Sequence, residues 1–241
     1  MNAIEINNLT KKYKDTTAVN GLSLSIKEGE LFSLLGVNGA GKTTTIKMLC
    51  TLTAPTSGDA YLFGHSIRNE PSRVKPLIAT SPQETAVAYG LSVRENLELI
   101  CGVHGFSREK TKQKIRELAS LLGLCEILNK KAGKLSGGWQ RRLSIAMALI
   151  SEPKILFLDE PTLGLDVIAR SELWDLIQTL KGKITIILTT HYMEEAEALS
   201  DRIAIMKDGQ LLICDTAENI IASSGETSFE RAFIKTVKEG L

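Results

Sequence analysis

A glycine-rich loop is the segment whose residue types point most directly to chemistry. Residues 36–43 read GVNGAGKT, which fits the pattern GxxxxGK[ST]. Glycine lets the backbone curl so that successive N–H groups point at one anion, and a helix that starts at the loop adds its positive dipole end. Lys42 supplies a point charge, and the Thr43 hydroxyl is a ligand for Mg²⁺. The predicted phosphate-binding residues are Gly36, Val37, Asn38, Gly39, Ala40, Gly41, Lys42, Thr43 and Thr44.

The elements around this loop decide between a phosphate site and an ordinary glycine turn with a chance lysine. Residues 31–35 form a continuous apolar run, which is typical of a strand buried on both faces. Residues 43–52 carry helical spacing. The order strand, loop, helix is the context that the phosphate site requires, so we favour that interpretation.

Two carboxylates follow a second apolar strand, predicted over residues 155–158. Asp159 and Glu160 should therefore lie at the carboxyl edge of a sheet, where α/β proteins bind ligands. Asp159 can hold Mg²⁺ through water, and Glu160 can orient or deprotonate an attacking water. Taken alone, solvated carboxylates before Pro161 would be the better interpretation. The glycine loop in the same chain favours a shared site.

A second candidate anion site lies far along the chain. Ser136, Gly137 and Gly138 precede an apolar-periodic helix predicted over residues 143–150. A plain helix start is the alternative. Since one triphosphate does not readily need both helix N-termini from one subunit, the pattern suggests that a second subunit closes over the nucleotide.

Composition limits the partners. The 241 residues include 43% hydrophobic ones and carry a net charge of +1, so the chain can bury a large core but has no overall attraction for nucleic acid or anionic lipid. Scattered Cys50, Cys101, Cys125 and Cys214 are expected to be buried, reduced thiols. We expect no signal peptide, no stretch near the ~20 apolar residues of a membrane span, and a soluble chain that reaches a membrane only through a partner.

Periodicity predicts the remaining elements. Strands are expected over residues 3–9, 22–26, 60–63, 184–188, 203–207 and 210–214, the last two joined by a hairpin turn at Asp208 and Gly209. Helices are expected over residues 93–103, 108–122, 125–128, 169–180 and 193–199. The basic face of the second helix (Arg108, Lys110, Lys112, Lys114 and Arg116) is interpreted as solvated. A break over 223–228 precedes a last helix, and residues 229–238 could pack on the core or regulate the protein.

The order of six motifs resembles the nucleotide-binding subunits of ABC transporters over essentially the whole chain. After the glycine loop come Gln83 in SPQE, LSGG ending at Gly138, LFLDEP ending at Pro161, GLD ending at Asp166, and His191. The resemblance implies an α/β fold: a P-loop NTPase (RecA-like) core with an antiparallel β subdomain and an inserted α-helical subdomain. The implied single domain divides into core and β subdomain (1–87 and 151–215), helical lobe (88–150) and C-terminal tail (216–241).

The resemblance also implies roles for single residues. Tyr13 would stack on adenine, and Gln83 would touch Mg²⁺ or the water and link to a transmembrane partner. His191 would donate a hydrogen bond to the γ-phosphate, which Ser136, Gly137 and Gly138 would contact from the other subunit. Asp166 would organise the contact between subunits. Each has a plainer alternative: a strand-end tyrosine, a solvated loop glutamine, a structural histidine, and an N-cap for the helix that follows Asp166.

One residue departs from the family pattern. Trp139 follows LSGG where many members have glutamine. Because the backbone donors and Ser136 do not depend on that side chain, we expect the site to survive, with a possible change in rate or partner contact.

The function implied is ATP hydrolysis, with Lys42, Gln83, Glu160 and His191 as catalytic residues and Thr43, Gln83 and Asp159 at Mg²⁺. Two copies, arranged head to tail, would sandwich two ATP molecules on the cytoplasmic face of the membrane and drive a separate integral-membrane permease. Nucleic acid is not an expected partner. Segments 90–97 and 190–197 resemble the daunorubicin-resistance exporters and sodium-extrusion ATPases, which favours export.

Three other functions were weighed. An ATPase of the same superfamily that acts on DNA or ribosomes would usually carry coiled coils, duplicated cassettes or basic extensions. A P-loop kinase or GTPase would need a lid or an NKxD-type motif. The sequence has none of these features. A subunit that binds ATP without hydrolysing it is disfavoured because Glu160 and His191 are both present.

Overall fold

A computed structural model describes residues 1–239, and the last two residues of the predicted tail lie outside it. Within that range the chain forms ten strands and nine helices. The strands, β1 to β10 in chain order, are Asn2–Tyr13, Thr16–Lys27, Leu31–Gly36, Ser57–Leu62, His65–Ser66, Ile78–Ser81, Ile155–Asp159, Thr185–Thr190, Arg202–Lys207 and Gln210–Asp215. The helices, α1 to α9, are Lys42–Leu49, Pro71–Val74, Val93–Val103, Arg108–Leu121, Gly137–Leu149, Val167–Leu180, Met193–Leu199, Ala217–Ser224 and Phe229–Glu239.

The larger sheet has six strands in the order β10-β9-β3-β8-β7-β6. All its pairings are parallel except β9 with β10. The fully buried β3 and β8 lie inside the sheet, which explains their unbroken apolar runs. The smaller sheet, in the order β2-β1-β4-β5, is antiparallel.

Strand β7 shows how the large sheet separates two cores. Successive side chains of a strand point to opposite faces. Leu156 and Leu158 pack in a cluster with residues of α3, α5 and α6, whereas Ile155 and Phe157 pack with α1 and the smaller sheet. The expected α/β fold with an antiparallel sheet beside it and helices from residue 93 to residue 149 is confirmed.

Several predicted elements differ in extent. Strand β1 continues to Tyr13 and β2 begins at Thr16, beyond the predicted ranges 3–9 and 22–26, because their extra residues pair across an exposed hairpin with little apolar signal. Residues 125–127 form a 3-10 turn instead of a full α-helix. Strand β6 and the short α2 were not predicted.

Two expectations about side chains were wrong. Cys125 is exposed and Cys214 is half-buried, while Cys50 and Cys101 are buried; all four thiols are free. Lys114 leaves the solvated face of α4 because it pairs with Glu152.

The tail helix α9 packs on the core through Phe229 and Phe233. No helix among residues 1–239 combines the length and apolarity needed to cross a membrane.

Candidate nucleotide-binding site

A cavity of about 760 Å³ opens over the glycine loop. Ten of the predicted site residues line it: Asn38, Gly39, Ala40, Gly41, Lys42, Thr43, Thr44, Gln83, Glu160 and His191. Topology explains their meeting, because β3, β8 and β7 are parallel neighbours and their carboxyl ends lie at one edge. The glycine loop follows β3, Glu160 follows β7, and His191 follows β8.

The loop backbone needs glycine at two positions. Gly41 has φ 101°, and a Cβ there would lie 2.4 Å from the Ala18 carbonyl oxygen. A Cβ on Gly36 would lie 2.4 Å from the Met206 carbonyl oxygen. Any side chain would therefore displace the loop from β2 or β9. Helix α1 starts at Lys42, and no side chain caps its N-terminus, so its first N–H groups remain available to an anion.

Lys42 places its charge over the loop. Its ammonium donates hydrogen bonds to the carbonyl oxygens of Gly36, at 2.7 Å, and Val37, at 3.3 Å. Burial lowers the pKa of Lys42, and the carboxylates of Glu160 and Asp159 oppose that shift. A partly desolvated cation that donates hydrogen bonds at the loop suits the binding of phosphate oxygens.

Thr43 and Asp159 form an oxygen-rich corner beside the loop. The Thr43 hydroxyl lies 3.4 Å from Asp159 Oδ1, which also accepts a hydrogen bond from the Thr189 hydroxyl. Hydroxyl and carboxylate oxygens fit Mg²⁺, a hard cation that binds few protein groups and keeps phosphate and water ligands. Residues 1–239 contain no cluster of three or more His, Cys, Asp or Glu side chains that could hold a metal ion.

Glu160 and His191 lie side by side in the cavity lining, with His191 Nδ1 3.3 Å from Glu160 Oε1. That nitrogen lies within ionic contact distance but outside hydrogen-bond geometry. Glu160 has φ 47°, a left-handed conformation that is costly for a residue with a side chain. Its N–H donates to the carbonyl oxygen of Thr189 at 3.0 Å and to the hydroxyl of Thr189 at 3.1 Å, and these contacts hold the strained backbone in place.

The second candidate anion site lies outside the cavity lining. Helix α5 starts at Gly137, and the side chain of its N-cap residue Ser136 makes no capping hydrogen bond. Ser136 and Gly137 are exposed, whereas Gly138 is buried. Helices α3, α4, α6 and α8, by contrast, are capped by the side chains of Ser92, Ser107, Asp166 and Thr216. The two helices that the sequence predicts at phosphate both begin without a side-chain cap, as do α2 and α7.

Asp166, Tyr13 and Trp139 also lie apart from the cavity lining. Asp166 caps α6 by accepting a hydrogen bond from the Ala169 N–H at 2.9 Å, which is the plainer of its two predicted roles. Tyr13 is 45% exposed at the end of β1. Trp139 packs against the core, with the Arg142 guanidinium 4.7 Å from its ring centre.

Sequence reasoning missed five residues of the lining: Thr16, Thr17, Ala18, Leu163 and Asp208. Asp208 was assigned only to a hairpin turn. That turn contacts the loop, since the Gly209 N–H donates to the Ala40 carbonyl oxygen at 3.2 Å. No sequence pattern links residues so far apart.

Comparisons with known proteins identify the family of the chain. Residues 19–163 match the family model described as ABC transporter. Over 224 residues the chain is 40% identical to the daunorubicin/doxorubicin resistance ATP-binding protein DrrA of Streptomyces peucetius, covering 92% of this chain and 68% of DrrA. It is 43% identical over 218 residues to the human phospholipid-transporting ATPase ABCA3, covering 89% of this chain but only 13% of that much longer protein.

A solved structure extends the likeness to three dimensions. The ATP-binding cassette MJ0796, solved as a dimer in a post-hydrolysis state with ADP and phosphate, superposes with a TM-score of 0.78 at 28% identity, covering 88% of this chain and 98% of that one. The alternative of an ATPase acting on DNA or ribosomes finds no support among these relatives. The chain therefore belongs to the ABC transporter family and is an ATP-binding, ATP-hydrolysing unit of such a transporter.

Proposed function

We propose that two copies of this chain, arranged head to tail, enclose two ATP molecules and use their hydrolysis to drive export through a membrane-spanning partner. One observation carries the proposal: Ser136 and Gly137 are exposed at an uncapped helix N-terminus, outside the cavity that holds the glycine loop. Helix N-termini attract anions. In a head-to-tail pair, Ser136, Gly137 and Gly138 of each copy complete the γ-phosphate site of the other.

Within one copy, residues 36–44 hold the phosphates and Tyr13 stacks on the adenine. Thr43, Gln83 and Asp159 would hold Mg²⁺, directly or through water, and the bound ion would supply positive charge that offsets the charge of the phosphates. The 3.4 Å separation of the Thr43 and Asp159 oxygens supports this assignment. Asp166, at the start of α6, orders the contact between the two copies.

Hydrolysis needs a water in line with the γ-phosphorus. Glu160 orients this water and accepts one of its protons as the new P–O bond forms and the bond to the β-phosphate oxygen breaks. Lys42 and His191 donate hydrogen bonds to the phosphate oxygens on which negative charge accumulates. The products are ADP and inorganic phosphate, whose departure opens the pair.

Coupling to the membrane runs through Gln83 and the helical lobe, residues 88–150, while residues 1–87 and 151–215 carry the nucleotide. The chain works on the cytoplasmic face of the membrane, attached to its permease. The proposal of export is supported by the similarity to DrrA, which is named for drug resistance, and by the resemblance of segments 90–97 and 190–197 to exporter ATPases.

Replacing Glu160 tests the chemistry. In Glu160→Gln the amide cannot accept the proton of the attacking water, so steady-state phosphate release should fall about 100-fold or more, while ATP binding persists. Phosphate release and equilibrium binding of ATP measure the two effects separately. Glu197→Gln, an exposed position on α7, is the matched control and should hydrolyse ATP normally. Unchanged turnover in Glu160→Gln would remove this residue from the mechanism.

A further inference from the structure

Arg141 is a charged residue buried inside the helical region, in the second turn of α5. The residue is only 5% exposed. Burying a guanidinium is costly unless hydrogen bonds replace its water. Its two terminal nitrogens donate to successive carbonyl oxygens, 2.5 Å to Pro82 and 2.6 Å to Gln83. The planar guanidinium thus binds the backbone of Pro82 and of Gln83, and Gln83 lines the nucleotide cavity.

A second buried contact lies one helical turn further along α5. Ser144 and Ser81 share a hydrogen bond between their hydroxyls, at 2.8 Å. Residues 141 and 144 lie on the same face of the helix, and residues 81–83 run directly from the end of β6 into the loop of Gln83. Helix α5 therefore holds this loop at two successive points.

The N-terminus of the same helix is the segment Ser136, Gly137 and Gly138. Because helix α5 is a continuous hydrogen-bonded element, a shift of Gln83 is transmitted to that N-terminus over fewer than two turns. Gln83 faces the nucleotide of its own copy. In the proposed pair, the helix N-terminus faces the nucleotide of the other copy.

We propose that Arg141 is a positioning residue that couples the two ATP sites, by making Gln83 and the N-terminus of α5 move as one unit. The γ-phosphate in one site sets the position of Gln83. Through the guanidinium of Arg141, that position sets the position of the helix N-terminus that closes the other site. The inference rests on the proposed head-to-tail pair. It predicts that ATP acts cooperatively and that this cooperativity depends on Arg141.

The test measures ATP hydrolysis against ATP concentration for Arg141→Gln, with Arg116→Gln, exposed on α4, as control. Glutamine reaches less far and cannot donate to both carbonyls. We expect ATP affinity of the single chain to stay unchanged, kcat to fall on the order of 10–100-fold because the misplaced groups lose alignment, and the Hill coefficient to fall from above one towards one. The control should keep the wild-type kcat and Hill coefficient.

A folded Arg141→Gln with the wild-type kcat and Hill coefficient would overturn the proposal. So would a lower kcat with an unchanged Hill coefficient, which indicates a purely structural role. If Arg141→Gln does not fold, Arg141→Lys, which keeps the charge but not the fork, decides by the same two readouts. Dimer formation by Glu160→Gln in the presence of ATP is measured first, because it tests the proposed pair separately from the coupling. If no dimer forms, the proposed pair is refuted. If a dimer forms and the Arg141 variant keeps the wild-type cooperativity, only the coupling is refuted.

Discussion

Lys42 and the carboxylates around it show how much of the site depends on charge held in a confined space. Lys42 is only 5% exposed, and the two carboxylates that act on its charge, Asp159 and Glu160, lie at the end of β7, two strands away from β3 in the sheet. A triphosphate brings several negative charges into this corner. The lysine is therefore required to offset both the phosphates and the carboxylates beside them.

Replacing Lys42 by alanine should weaken ATP binding by about 1.5–3 kcal/mol, the range for hydrogen bonds to charged groups, which is roughly 10–150-fold in affinity. Isothermal titration with ATP measures the change directly. Lys47→Ala is the matched control, because Lys47 lies exposed on the same helix. Equal affinities of the two variants would contradict the role given to Lys42.

At the scale of elements, Glu195 lies in a buried polar cluster formed by α6, α7, the end of β8 and the segment after Glu160. This carboxylate on α7 is fully buried, and its Oε1 accepts a hydrogen bond from Trp174 Nε1 on α6 at 3.1 Å. Thr190 of β8 and Thr162, in the segment after Glu160, lie close to the carboxylate. The cluster links α6 to α7 and lies next to Thr190, the last residue of β8.

Burial raises the pKa of Glu195, and the hydrogen bonds and nearby Arg170 only partly oppose the shift. A folded pKa above the unfolded one means that the folded state binds more protons, so stability is lost as pH rises through the folded value. Glu195→Gln removes this titration. The free energy of unfolding of the variant, relative to the wild type, should increase between about pH 5 and about pH 8, by up to about 1.4 kcal/mol per unit of pKa difference.

Urea unfolding of both proteins at the two pH values measures that difference, in which the contributions of other groups cancel. Glu194→Gln is the neighbouring control, since Glu194 is exposed and paired only loosely with Arg170, 3.6 Å away. If the free energies of unfolding of Glu195→Gln and the wild type differ by the same amount at both pH values, burial does not raise the pKa of Glu195.

The sequence predicted those elements whose burial pattern is strong. The α3 range 93–103 and the α7 range 193–199 agree with the structure, because their apolar periodicity is bounded by polar residues. Strand β6 was missed since its four residues, IATS, are only partly apolar and lie at the sheet edge. The hydrogen bonds from Arg141 to the backbone of Pro82 and Gln83 were also not predicted. The bond to Gln83 depends on a contact between residues 58 positions apart, which no local pattern encodes.

At the scale of the whole molecule, the two helix N-termini that the sequence predicts at phosphate lie in different places, and neither has a side-chain cap. Helix α1 starts inside the cavity, and α5 starts at an exposed surface outside it. The glycine loop supplies phosphate donors from one side only. A γ-phosphate bound there would remain open to solvent unless another subunit covers it, and in the proposed pair ATP is therefore the ligand that joins the two copies.

Molar mass in the presence of ATP is the measurement that tests this most directly. Glu160→Gln should scatter light as a monomer of 26.3 kDa without nucleotide and as twice that mass with saturating ATP and Mg²⁺. Adding Gly137→Asp should keep the monomer mass although ATP still binds, because an aspartate favours the helix N-terminus but repels the phosphate of the other copy. A Glu160→Gln protein that is saturated with ATP and remains at 26.3 kDa would contradict the shared site.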